Sequence, residues 1–205
     1  MNNYFGKLCM AAATIACTTL QALPEPYASI NILPQRPSFV QDGYIIYSLA
    51  SASNVEVIID VESSEGGVAR YLAMQANNLP SLRQIYSVNL WQSNDRSQKQ
   101  LYRRFLSNVI QENTSELITP IRMSSEEGAK SLHILADLIH LVGGNDQQTI
   151  YNDILSWYPR LSERGIMCGN NWDEPSIQSG VTQAARTLDA TLQISGTVWY
   201  FVKGS

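Results

Sequence analysis

Apolar positions along this chain fall into two alternating kinds of block. Some are short β-branched runs, and others carry apolar residues at helical spacing. After a helical stretch at 43–52 (GYIIYSLASA), VEVIIDV at 55–61 is a continuous β-branched run, which predicts a strand buried on both faces. Residues 66–77 then set Val68, Leu72 and Ala76 on one helical face. IYSVNL at 85–90 predicts a second strand, and 98–112 carries Leu101, Phe105, Leu106 and Val109 at helical spacing. PIRM at 120–123 predicts a short third strand. Ser124 with Glu127 three residues on matches the capping box that opens a helix. DLIHLV at 137–142, a helix at 148–157 and GIMCG at 165–169 continue the alternation. A long helix follows at 175–192, with Pro175 in the first turn, where its missing N–H costs nothing. TLQIS at 191–195 and GTVWYFVK at 196–203 predict a final β-hairpin around Gly196.

Strands and helices alternating at this spacing predict an α/β fold. Its sheet is doubly wound and mostly parallel, with right-handed crossovers, seven strands in all and an antiparallel C-terminal hairpin. Ligands of such sheets bind outside the carboxyl ends of the strands, near the switch in strand order. The strand ends are therefore where function is sought.

Composition narrows the classes. With 205 residues, 44% hydrophobic and 16% charged, the chain can bury a full core and is no disordered segment. Its net charge of -4 and the absence of a basic run argue against nucleic acid as a partner. The N-terminus reads differently from the rest. Lys7 is the only charge before Glu25, and LCMAAATIACTTLQA at 8–22 is apolar or small. That pattern matches a secretory signal peptide over 1–22, too short and Thr-rich for a stable membrane span. Export to the periplasm or medium follows from a leader, and a cytoplasmic location follows without one. Four prolines between 24 and 37 make 23–40 a linker or wrapped arm, leaving 41–205 as the folded domain. Of three cysteines only Cys168 lies outside the leader, so the rest of the chain can form no internal disulfide.

The strand ends carry a family resemblance over about 40–205. Asp60-Val61-Glu62-Ser63-Ser64-Glu65-Gly66-Gly67 is similar to the first motif of class I S-adenosylmethionine-dependent methyltransferases, with Asp60 and Gly66 in register. IYSVNLW at 85–91 resembles the strand whose last residue receives the ribose. PIRMSSEEGAKSL at 120–132 resembles the segment that frames adenine. ADLIHLVGGNDQQTIYNDI at 136–154 and GIMCGNNW at 165–172 extend the match toward small metal-dependent O-methyltransferases. The resemblance implies a Rossmann-like fold and makes Asp60, Gly66, Gly67, Asn89 and Ser125 the residues that would contact S-adenosylmethionine. At seven glycine or acid positions, and at one histidine position, the chain departs from the family. Glu62 stands where a glycine lets backbone approach the methionine part of the cofactor, and Asn89 stands for the ribose-binding acid. Ser124, Val142, Gly144, Asn170 and Asn171 stand where acids are common, and Asn145 replaces a histidine. A hard cation needs several oxygen ligands, usually including carboxylates, so no catalytic metal is expected.

Other residues could compensate. Asp146, in the loop after the fourth strand, is the best candidate base, and Asp173 could swing in. Asp153 is expected a turn or more away. Of the two histidines, His140 is expected to be packed and His133 to lie on the far side of the sheet. Cys168 is expected to be buried and inert. Nothing resembles a Ser-His-Asp arrangement, a P-loop or a zinc cluster. Two functions compete: a catalytically degenerate methyltransferase fold that binds a protein or small molecule, and an active metal-independent methyltransferase on a small molecule. A different enzyme on this scaffold lacks a recognisable nucleophile.

Overall fold

The computed structural model describes residues 23–34, 42–62, 64–92, 94–142, 144 and 146–204. The leader-like segment 1–22, the last third of the proline-rich stretch (35–40), and Ser63, Gly143 and Asn145 of the motifs lie outside the described residues.

The elements run α1 (Gly43–Ala52), β1 (Val57–Val61), α2 (Gly67–Met74), β2 (Gln84–Val88), α3 (Arg96–Gln111), β3 (Ile118–Ile121), α4 (Ser125–Ser131), β4 (Ala136–Leu141), α5 (Gln147–Trp157), β5 (Leu161–Gly169), α6 (Pro175–Thr187), β6 (Gln193–Ser195) and β7 (Val198–Val202). They build one seven-stranded sheet in the order β3-β2-β1-β4-β5-β7-β6. The first five strands are parallel, and β7 runs antiparallel to both β5 and β6. This is the doubly wound, mostly parallel sheet that the strand–helix alternation predicts. The order reverses between β1 and β4, which makes that pair the switch point.

Two cores lie on opposite faces. One buries Ile58, Leu72, Ile85, Trp91, Phe105 and Cys168 under α1, α2 and α3. The other buries Ile59, Ile139, Ile154, Trp157, Met167 and Trp199 under α4, α5 and α6. Neighbours Ile58 and Ile59 go to different cores because successive strand side chains point to opposite faces.

Most elements fall where the pattern puts them, with shifted ends. The first strand begins at Val57 rather than 55, because the Asp137 carboxylate accepts the N–H groups of Glu56 and Val57, both at 3.0 Å. Asp137 also accepts from Ser162 Oγ at 2.9 Å, so one side chain ties the entrances of β1, β4 and β5. The third strand is Ile118–Ile121 rather than 120–123, held by pairing of Ile85 with Ile118 through Val88 with Ile121. Pro120 is tolerated there because β3 is an edge strand. The last helix stops at Thr187, not 192, and α3 starts two residues early at its Asp95 cap, whose carboxylate accepts from Ser97 N and Gln98 N. Residues 23–34 lie against α3 and β3. Tyr27 is buried and donates its hydroxyl to Ile118 O at 2.7 Å, and Leu33 N–H donates to Ser107 Oγ at 3.0 Å.

Candidate functional site

At the switch point, β1 turns into α2 through Glu62 at φ +61° and Gly66 at φ +79°. Glu62 N–H donates to Val88 O at 2.7 Å, and Val142 N–H donates to Val61 O at 3.1 Å, so both gaps beside β1 stay laddered past the strand ends. Gly66 precedes α2 in a left-handed conformation that glycine adopts at no steric cost. An added Cβ would also sit 2.6 Å from the Phe105 ring. Gly67 opens the helix.

Asp60 is fully buried beneath this turn. Its Oδ2 accepts the Ala69 N–H at 3.1 Å, and its Oδ1 lies 2.8 Å from His140 Nδ1. A carboxylate only accepts, so His140 carries a proton on Nδ1. The other ring nitrogen, Nε2, lies 2.5 Å from Asn170 Oδ1. His140 is packed, as its sequence position suggests. It also bridges the first-motif acid to the first of the two altered residues after β5, a link that sequence reasoning missed. A signal was present: Asp60 and His140 are each the next-to-last residue of adjacent parallel strands.

Asn89 stands at the end of β2, and its Oδ1 accepts the Trp91 N–H at 3.3 Å in an Asx-type turn. Trp91 is buried against Tyr102 and Phe105, with ring centroids 5.0 and 4.7 Å away. Its indole N–H donates to Ser64 O at 3.1 Å, strapping the end of β2 to the turn after β1.

Ser124 caps α4 in the capping box with Glu127 that the sequence predicts. Ser125 is buried and works within the core: its Oγ donates to Asp153 Oδ1 at 2.6 Å and receives the Trp157 indole N–H at 3.0 Å. Asp153, expected away from the strand ends, is brought to them by this bond. It lines a cavity of about 480 Å³ together with Glu62, Ser124, Glu126, Thr149 and Asn152. Burial, and then the charge of Asp153, raise the Glu62 carboxyl above its ordinary range. Burial likewise raises Asp153, against the opposing effect of the Ser125 bond.

Asp146 is otherwise engaged. It caps α5, accepting from Gln148 N and Thr149 N at 3.0 Å each and from Thr149 Oγ1 at 2.7 Å. Those bonds, the Thr149 hydroxyl first, hold its carboxyl below the ordinary range, the wrong direction for a general base. Gly144 packs against Thr149, whose Cγ2 lies 2.5 Å from where a Cβ would stand. Asn171 and Asp173 are exposed, His133 is exposed on the α4–β4 connection, and Cys168 is buried, with its thiol pushed up mainly by burial. Among the described residues, no three His, Cys, Asp or Glu side chains converge as metal ligands. No helix among them is long and apolar enough to cross a membrane.

Comparison with solved structures finds this fold in O-methyltransferases. The Bacillus cereus O-methyltransferase in complex with SAH superposes with a TM-score of 0.57 at 14% identity, over 83% of this chain and 84% of that one. The Streptomyces achromogenes O-methyltransferase involved in tomaymycin synthesis, in complex with SAM, gives 0.60 at 16% identity over 84% of each chain. The SAH-bound Podospora anserina methyltransferase gives 0.63 at 12% identity over 82% of this chain and 79% of that one. At such identities the likeness is one of fold. No curated protein matches the sequence. A family profile described as a methyltransferase domain matches residues 63–172, from the turn after β1 to the loop after β5. The chain belongs to this methyltransferase-domain family and has the class I S-adenosylmethionine-dependent fold.

Proposed function

We propose that this member of the family is a binding module that has lost methyl transfer. Glu62 carries the reading. At the turn where the family resemblance puts a glycine, it points a carboxylate into the strand-end cavity beside Asp153. The carboxylate of an incoming S-adenosylmethionine would meet that charge at short range, in a partly buried site where repulsion is poorly screened. The remaining contacts fit the cofactor no better. Asn89 is turned to its own backbone, and Ser125 is committed to Asp153 and Trp157. Metal assistance is disfavoured by the same logic, since Asn170 is engaged by His140 and Thr149 fills the space at Gly144.

The alternative, an active metal-independent methyltransferase, draws on one observation: the β1–α2 turn retains Asp60 bonded to the start of α2 and Gly66 in its left-handed conformation. We further propose export, resting on Lys7 and the apolar run at 8–22.

The test is calorimetric titration of the full chain with S-adenosylmethionine and S-adenosylhomocysteine, with and without magnesium. Absence of heat at millimolar ligand is expected. Saturation in the micromolar range would overturn the reading that the cofactor site is lost and revive the alternative.

A further inference from the structure

We propose that the outer face of α3, with Arg122 beside it, docks on an anionic lipid surface. The inference goes beyond the reading above and does not depend on whether the strand-end site binds a cofactor. α3 carries Arg96, Lys99, Arg103 and Arg104 and contains no Asp or Glu. Arg104 turns inward to Glu65. The other three recur at i, i+3 and i+7, which sets them on one stripe of the helix, and all three are exposed. Arg122, also exposed, lies just past the end of β3, with its guanidinium 4.7 Å from the centroid of the Tyr102 ring of α3. None of these four forms an ion pair among the described residues. Asp95, the acid next to the stripe in sequence, is spent on the N–H groups of Ser97 and Gln98. On a chain of net charge -4, this segregation of positive charge marks a surface for an anionic partner.

A second observation selects lipid. The same stripe continues at i+4 spacing through Ser107 and Gln111, where Leu33 covers it. Ser107 Oγ accepts the Leu33 N–H, and the Gln111 amide donates to the Leu33 carbonyl. With the Tyr27 hydroxyl bonded to Ile118 O, these contacts hold residues 23–34 against α3 and β3. Leu23 is separated from Tyr27 by at most about 14 Å of chain. The apolar run at 8–22 therefore joins the domain on the side that carries the basic stripe. Leu23 and Ile32 are exposed apolar residues of this arm. A short apolar anchor holds a protein to a bilayer only reversibly, and a basic patch is the second signal that makes attachment stable. A soluble polyanion would use the cations and leave the apolar run and Ile32 without a role.

The full chain is sedimented with vesicles of phosphatidylcholine alone and of phosphatidylcholine mixed equally with phosphatidylglycerol, at low and at high salt. Partition into the mixed vesicles about tenfold or more above that into the neutral ones is expected, weakening as salt rises. Lys99→Glu with Arg103→Glu should abolish that preference. Arg164→Glu with Arg186→Glu makes the same change of charge at exposed sites on other elements and should leave it nearly unchanged. Circular dichroism confirms that both double variants are folded. Equal partition of the native chain into both vesicles would assign attachment to the apolar run alone and overturn the proposal. Absence of partition, or equal loss in the two double variants, would overturn it as well. Duplex RNA bound more tightly than the mixed vesicles, and released by Lys99→Glu with Arg103→Glu, would overturn it in favour of nucleic acid.

Discussion

Asp60 and His140 are register partners across β1 and β4, both fully buried, joined Oδ1 to Nδ1 at 2.8 Å on the seam where the strand order reverses. The pair makes the floor of the site a structural tie, because its other contacts reach the start of α2 at Ala69 and the end of β5 at Asn170.

Removing one member leaves the other buried without its partner. His140→Ala should lower unfolding stability by about 3–5 kcal/mol in urea titration. His140→Asn, which keeps a donor, should lose less. A loss under about 1 kcal/mol in the alanine variant would mean that the tie contributes little.

Gly66 is bound by two constraints, the left-handed backbone and the Phe105 ring. Gly66→Ala should cost about 2–4 kcal/mol, strain and overpacking together. Adding Phe105→Leu should recover part of that cost in a double-mutant cycle. Strict additivity would place the whole effect in the backbone.

Glu62 and Asp153 titrate above their ordinary range in the folded protein. The folded state therefore holds protons more tightly than the unfolded chain. Stability contributed by these groups falls as pH rises through that raised range, and is regained as pH drops. Glu62→Gln should therefore raise Tm at neutral pH. The gain should vanish below the ordinary carboxylate range. A gain independent of pH would exclude relief of charge as its cause.

An acid restored at Gly144 should not recreate a metal site. Gly144→Asp should destabilise by about 1–3 kcal/mol through the Thr149 Cγ2 contact. Thr149→Ser, which removes that methyl and keeps the hydroxyl bonded to Asp146, should recover part of the loss, the residue 149 Cβ still standing 2.9 Å from the added Cβ. Thermal melts of the single and double variants decide the point.

Glu62→Gly, Asn89→Asp and Val142→Asp together should raise S-adenosylmethionine affinity at least tenfold over the native chain by calorimetry. Unchanged affinity would locate the loss in the Trp91 strap and the committed Ser125, deeper than the three side chains.

Local chemistry made the scaffold legible in the sequence. Short β-branched runs such as VIIDV read as buried strands, and apolar spacing in α3 and α6 marks their inner faces. Ser124 with Glu127 announces a helix start through groups three residues apart. The degenerate strand ends were legible for the same reason, since each motif is a short contiguous stretch. What the side chains do there depended on residues far apart in sequence. Asp146 could serve as a base until its loop folded onto the first turn of α5, where unpaired backbone N–H groups claimed its carboxylate. Asp153 joined the site because Ser125, 28 residues earlier, met it across the α4–α5 contact. His140 became part of the floor because strand order put β4 beside β1, 80 residues apart. Periodicity states which face of an element is buried. Only packing decides which polar groups share that interior, because there a hydrogen bond is no longer replaceable by water.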